Sequence, residues 1–445
     1  MNYKNISLLL INILIVCETN AVFQTISKPG LYQLGENVTY SPTVPNDIIF
    51  QITASDVEFD LGDRFITQNS ANTQTGLIAI QVASGLSNVV IKSSTNGSIQ
   101  NIRGTGIQVL SNCSRIMIDN ITTFSCEDRG IDFIGGDGVP ITDSQIQNCG
   151  VIDCCRNATA DTAISFESCN NLSLNNVIVD SNGLQNNVLT LIFMDNCNNG
   201  NFNNIFMRNN TSVSNITGLS LNATLNSTFN NCIVENSVAT GGGSVAAGYS
   251  IVTFSNNNVF KNCQAIGLSS AGSCFGFTVN GCQNNLLENC LAIGMSTVNF
   301  MFGFDDETNV GTTFINCGAY RNTSNGPAYG FFIASTSQPS LIDCIANDQV
   351  STGNVGIGFN LDTVSDSLMQ NCIATRNTGT PVAGNSFGVL AVVNTNDVYV
   401  HNVASRNGTT PGNQFNGVAA GAVNTVLATA VNSAAIGSWT NLGIT

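Results

Sequence analysis

"FKNCQAIG" (Phe260–Gly267), "LENCLAIG" (Leu287–Gly294) and "FINCGAYR" (Phe314–Arg321) set one Asn-Cys pair every 27 residues. The period extends in both directions. The second member of the pair falls at Ile121, Cys149, Val177, Ile205, Cys232, Cys263, Cys290, Cys317, Cys344, Cys372, Val403 and Val431, at spacings of 27 to 31 residues. Asn stands before it from Asn120 to Asn402, with Asp343 once in its place, and the pattern fails at Ala430. Two residues before the Asn the chain is apolar throughout, as at Phe260, Leu287, Phe314 and Val400. Three residues after it come Ala265, Ala292, Ala319, Ala346 and Ala374, then Ser405 and Ser433.

A second signature opens most periods: Gly, an apolar residue, a variable one, an apolar one. Examples are "GIQV" at Gly106, "GIDF" at Gly130, "GLSL" at Gly218, "GFTV" at Gly276 and "GFFI" at Gly330. Alternation within short segments, with turn residues between them at a period near 28, describes a parallel β-solenoid. Each period is one coil, and about 12–13 coils of roughly 27–31 residues are expected.

The Asn-Cys pair is therefore read as architecture. Apolar positions two before and one after the Asn break the strand alternation there, so the chain bends. Asn accepts the left-handed backbone a bend needs, and stacked Asn amides can bond from coil to coil. The neighbouring Cys serves as a small buried apolar side chain. A metal ladder would need converging ligands with CxxC-like spacing, which this pattern lacks, and disulfides between stacked Cys would be strained. One column resists the scheme. Ile178, Phe206, Ile233, Leu291, Ile345 and Ile373, two after the Asn, are also apolar, and a regular strand cannot bury both columns. Facing outward, they would form a stripe for a covering loop or a partner subunit, so a homotrimer is one expectation.

Bulk composition narrows the function classes. The 445 residues carry a formal charge of −15, only 9% charged residues and 43% hydrophobic ones, with 24 Phe and one Trp. This balance argues against nucleic acid and anionic membrane surfaces as partners, and disfavours a polyanionic substrate without a local basic patch or bridging cation. Residues 1–21 read as a signal peptide: Lys4, an apolar run from Ile6 to Val16, and a small residue at Ala21. That run is too short to span a bilayer. Cys17 fits a lipoprotein site poorly, because Val16 precedes it. The expected organisation is a leader, 1–21, then one β-helix domain, 22–445, with an N-terminal cap over 22–66 and stacked coils over 67–445. The expected location is secreted or at the cell surface, with the periplasm as the alternative.

With these columns in place, the chain resembles the right-handed parallel β-helix proteins of the pectin-lyase-like fold superfamily. The Asn column and coil length carry the resemblance, together with "ISKPGLYQLGENVTY" followed by "ITASDVEFDLGDRFI". The latter is similar to a common "ITAxNVxLDLNG" pattern, with Asp60, Leu61 and Gly62 in the matching places. The resemblance implies an all-β, right-handed parallel β-helix. It implies activity less firmly, since such proteins include lyases, hydrolases, epimerases and proteins without known catalysis. The lyases resembled here hold calcium with carboxylates and use Arg or Lys as base. The galacturonan hydrolases use clustered Asp with Gly-His-Gly and Arg-x-Lys. This chain departs from both: its one histidine, His401 in "YVHNVAS", lacks those glycines, directly precedes the Asn column and reads as a surface residue, and no Arg-x-Lys occurs.

The candidate residues are few. The variable position of the opening strand reads Gln108, Asp132, Ser165, Ser220, Thr278, Phe332 and Val389, with Asp132 alone ionisable. "FDDETN" (Phe304–Asn309) holds Asp305, Asp306 and Glu307. It reads first as a solvated turn, with calcium binding or catalysis as alternatives. Glu127, Asp128, Asp132 and Asp137 form a second acidic group without the regular spacing of a calcium loop. Arg321, Asp348 and Arg376 recur five residues after the Asn in three successive coils, an exposed ion-pair ladder or a seat for a sugar carboxylate or sulfate. Catalytic candidates are thus Asp305, Asp306, Arg321 and Arg376, and calcium candidates Asp305, Asp306, Glu307 and Asp132. No other cofactor is expected. The leading expectation is a binding or structural rod that contacts polysaccharide or a surface protein. The alternative is a polysaccharide lyase or glycoside hydrolase.

Overall fold

A computed structural model describes residues 11–13, 24–136, 138–157, 161–183, 188–380, 386–392, 396–407, 415–416, 428–432 and 435–440. The expected leader lies outside these apart from Ile11–Ile13, and so do Cys17, Asp137, Ser433 and the final "NLGIT". Every regular element among the described residues is a β-strand. They belong to two compact units, Met1–Gly183 and Leu184–Thr445.

In the first unit the coil-opening strands form sheet I: Gln24–Ile26, Ile48–Ile52, Leu77–Val82, Gly104–Leu110, Ile131–Ile134 and Thr162–Glu167 pair in parallel, one per coil. Gly30–Leu34, Val57–Asp60, Ser87–Lys92, Ser114–Asp119 and Gln145–Gln147 do the same in sheet II. Val38–Tyr40, Phe65–Gln68, Ser98–Gln100, Thr122–Phe124 and Gly150–Ile152 form sheet III.

The second unit repeats this more regularly. Its sheet I stacks Val188–Asp195, Asn215–Asn222, Val245–Val252, Ser273–Asn280, Met301–Glu307, Ala328–Ala334, Gly356–Asp362 and Ser386–Val392. The residue two before each Asn lies in sheet II, where Phe229, Phe260, Leu287, Phe314, Leu341 and Met369 stand in register. The Ala column lies in sheet III, where Val234, Ala265, Ala292, Ala319, Ala346 and Ala374 are partners. A short sheet IV runs from Thr211–Ser212 to Thr378–Gly379. The parallel β-helix that the resemblance implied is the fold found.

The bend at the Asn column is a left-handed residue. Asn204, Asn231, Asn262, Asn289, Asn316, Asp343 and Asn371 all have φ between 52° and 55°, which Asn and Asp tolerate better than other side chains. Their amides form the expected ladder: Asn289 Nδ2 donates to Asn262 Oδ1 at 3.2 Å, and Asn316 Nδ2 to Asn289 Oδ1 at 2.7 Å. After the bend the Cys side chain points in. All fifteen described cysteines are buried and stand as thiols. Cys317 Sγ donates to the Leu287 carbonyl of the preceding coil at 3.2 Å, and burial pushes the Cys290 and Cys317 thiols well up. The next residue then points out, which settles the second apolar column: Phe206 and Ile373 are exposed and Ile233, Leu291 and Ile345 half-buried.

The last regular coil corrects the assigned frame. Met369 pairs with Tyr399 and Ile373 with Val403, so His401, with φ 53°, occupies the Asn column itself. Asn402 occupies the Cys column, buried, accepting from the Cys372 N–H at 2.8 Å and donating to the Met369 carbonyl at 2.8 Å. In the following coil Ala428, not Val431, stands opposite Asn402.

Aromatic side chains fill the interior in register. Tyr249, Phe277, Phe304, Phe331 and Phe359 stack at 4.4, 5.0, 4.5 and 4.9 Å between ring centroids. Phe202, Phe229 and Phe260 stack at 4.7 Å. Phe314 meets Phe304 and Phe331 edge-on at 5.8 and 6.0 Å. Such pairs add about 0.5–1.5 kcal/mol each beyond area burial.

Candidate functional site

"FDDE" is not a turn. It ends the strand Met301–Glu307 of sheet I, and alternation sends its two aspartates to opposite sides. Phe304 is in register with the interior Phe277 and Phe331, so Asp305 stands on the outer face, between Thr278 and Phe332. Asp306 points inward, in a column with Ile251, Val279, Ile333 and Leu361. It is fully buried and accepts from Asn309 Nδ2 at 2.6 Å. Burial, acting against the hydrogen-bonding of Thr312 and Asn309, pushes its pKa up to about 7.

Asp305 faces outward yet is only 5% exposed, with Oδ1 buried and without a partner. Burial first, then the charges of Glu307 and Asp306, push it up to about 8. In the same outward column Asn360 follows Phe332, is 6% exposed, and also has a buried Oδ1 without a partner. Two acceptors thus flank one aromatic ring with nothing of the chain bonded to them. A buried acceptor without a donor costs about 1–3 kcal/mol.

The column one residue before the opening Gly is aromatic in three successive coils. Phe275, Phe302 and Tyr329 stack at 5.0 and 5.1 Å on the outer side of sheet I. Phe332 stands edge-on to Phe302 and Tyr329 at 5.3 and 5.2 Å, and Phe300, 47% exposed, lies 6.1 Å from Phe302. The result is an aromatic platform bordered by Asp305, Glu307 and Asn360. The sequence reading missed it, although Phe275, Phe302 and Tyr329 each immediately precede an opening Gly. Val389, assigned to the variable position of the opening strand, is buried opposite Phe359, and Leu390 holds the outward position.

The remaining candidates stand elsewhere. Arg321, Asp348 and Arg376 occupy left-handed turn positions after sheet III. Arg376 Nε and Nη2 bond the two Asp348 oxygens at 2.6 and 2.8 Å, lowering the Asp348 pKa. Among the described residues Arg321 forms no ion pair within 4.0 Å, and no arginine acts on Asp305. The four catalytic candidates are therefore not brought into one site. In the first unit, Gln51, Gln81, Gln108 and Asp132 share the outward column of sheet I. Each amide donates to the next residue, at 2.9, 2.8 and 3.4 Å, ending on Asp132 Oδ2. Arg129 Nη1 bonds Asp132 Oδ1 at 2.8 Å, yet burial still raises the Asp132 pKa. Among the described residues no three His, Cys, Asp or Glu side chains are grouped to hold a metal. Asp306 points to the side opposite Asp305 and Glu307, so the three carboxylates cannot together hold one calcium ion in this conformation.

No family profile and no curated protein matches the chain. Among solved structures it is similar to a mutant tailspike protein of E. coli bacteriophage HK620 in complex with pentasaccharide. That match has 13% identity and a TM-score of 0.45, covering 84% of this chain and 73% of that one. It is also similar to a double mutant of the periplasmic alginate epimerase AlgG, at 10% identity and a TM-score of 0.32, over 85% and 78% of the two chains.

Proposed function

We propose that this chain is an exported β-helix that binds a glycan across the outer face of sheet I, over Phe275, Phe302, Tyr329 and Phe332. One observation carries the reading: a stacked aromatic platform lies beside two buried acceptors, Asp305 Oδ1 and Asn360 Oδ1, that have no partner. Sugar rings present polarised C–H faces to aromatic rings and hydroxyl donors at their edges, which is the complement of this surface. The test is a glycan panel with the wild-type chain and Phe302→Ala. Binding that the substitution abolishes supports the reading; binding that it leaves unchanged overturns it.

Cleavage is the second reading, favoured by the proton that Asp305 retains up to about pH 8. Glu307 lies two residues along the same face, roughly 6.6 Å away at the backbone, and would serve as the base to Asp305 as general acid. New reducing ends that vanish in Asp305→Asn would establish it. The outward apolar column of sheet III, with Phe206, Ile233, Leu291, Ile345 and Ile373, is the proposed seat of a homotrimer. A strict monomer in concentrated sedimentation runs excludes it.

A further inference from the structure

We infer that the platform takes an uncharged glycan and discriminates against uronate-bearing or sulfated ones, an inference that rests on the binding reading above. Among the described residues, the outer face around the aromatic rings carries carboxylates and no cation. Glu307 follows Asp305 on its own strand, and Asp362 ends the strand Gly356–Asp362 two coils on, close enough to raise the Tyr329 pKa along with burial. The flanking strands add only Thr278, Asn280, Phe332, Ala334 and Asn360 on this side.

Basic residues of the second unit are Arg208, Lys261, Arg321, Arg376 and Arg406, and none lies in a sheet I strand or in the segments 298–300, 308–312, 325–327, 335–339 and 352–355 around the platform. An anionic sugar stacked on Phe302 or Tyr329 would meet Glu307 and Asp362 in a partly desolvated setting, where like charges repel strongly. The buried Asn360 Oδ1 has no donor, and a sugar hydroxyl can supply one whereas a carboxylate or sulfate group supplies none. Burial and two neighbouring carboxylates hold Asp305 protonated near neutral pH, so the repulsion of an anion comes from Glu307 and Asp362.

The test uses the full chain with neutral oligosaccharides and the same oligosaccharides oxidised at C6 to uronates, at pH 7 and low salt. At least one neutral member is expected to bind, with binding lost in Phe302→Ala. Its oxidised counterpart is expected to bind at least about tenfold more weakly, the gap narrowing as salt screens the charges. In Glu307→Gln/Asp362→Asn the oxidised form is expected to come within about threefold of the neutral one, as the loss of like-charge repulsion requires. An oxidised form that binds the wild type as well as its neutral parent overturns the selectivity and leaves the binding site standing. A preference untouched by the double substitution also overturns the charge argument. Binding by no neutral member overturns both readings.

Discussion

A Cβ built on Gly303 would lie 2.7 Å from the Ala319 Cβ and 2.5 Å from the Gly330 carbonyl oxygen. The same contacts recur at Gly276 with Ala292, at Gly330 with Ala346 and at Gly358 with Ala374. The opening glycines and the Ala column, two separate signatures in the sequence, are thus one steric constraint in these four coils: sheet I and sheet III approach too closely there for a Cβ on the glycine. These glycines do not have positive φ, so the requirement is space rather than backbone conformation.

Gly303→Ala is accordingly expected to destabilise the chain by about 1–3 kcal/mol, the cost of overpacking a filled interior. Ala319→Gly in the same background should recover only part of this, because the Gly330 carbonyl remains in the way. Chemical denaturation of the two variants measures both. Full recovery in the double variant would mean that the carbonyl contact relaxes freely.

Asp306 makes stability depend on pH. Its folded-state pKa, about 7, exceeds the ordinary aspartate value of 3.8, so between these values the folded state holds a proton that the unfolded state has released. Stability is then fully present below about pH 4 and falls as pH rises toward 7. Asp306→Asn keeps an acceptor for Asn309 and removes the ionisation. Its advantage over wild type should grow by on the order of 3 kcal/mol from pH 4 to pH 8. Parallel melting curves at the two pH values would sink this account if the difference stayed constant.

The fifteen buried thiols predict a chemical signature. A thiol reagent such as DTNB should find none of them in the folded chain and all of them after denaturation, without reductant. Fewer thiols released than present would reveal disulfides.

How much of this was legible in the sequence follows from what each position demands. A left-handed bend narrows the choice to a few residue types, so the Asn column announces itself; His401 also tolerates such a bend, and that tolerance let the last coil slip by one residue in the reading. Asp305 and Asp306 were misread because an inward aspartate breaks the apolar alternation, and a broken alternation resembles a turn. Gly303, Phe304 and Asp305 do follow the opening signature, and only Asp306 departs from it. The platform was missed for a different reason: Phe275, Phe302 and Tyr329 precede the repeat unit, at a position where aromatic and small residues both fit.

The arginine ladder gives the sharpest separation between the structural and functional readings of an exposed charge. Arg376 and Asp348 form a two-pronged pair in solvent, and such pairs contribute little because water and salt screen them. Arg321→Ala/Arg376→Ala is expected to leave the unfolding midpoint within experimental scatter. It is also expected to leave glycan binding unchanged, since neither side chain shares a sheet with Asp305 or Phe302. Phe332→Ala, in contrast, removes the ring between the two unpartnered acceptors and should abolish binding while the fold persists. Isothermal titration of both variants against one bound oligosaccharide decides the matter: affinity lost with the arginines and kept without Phe332 would move the site from sheet I to the turn after sheet III.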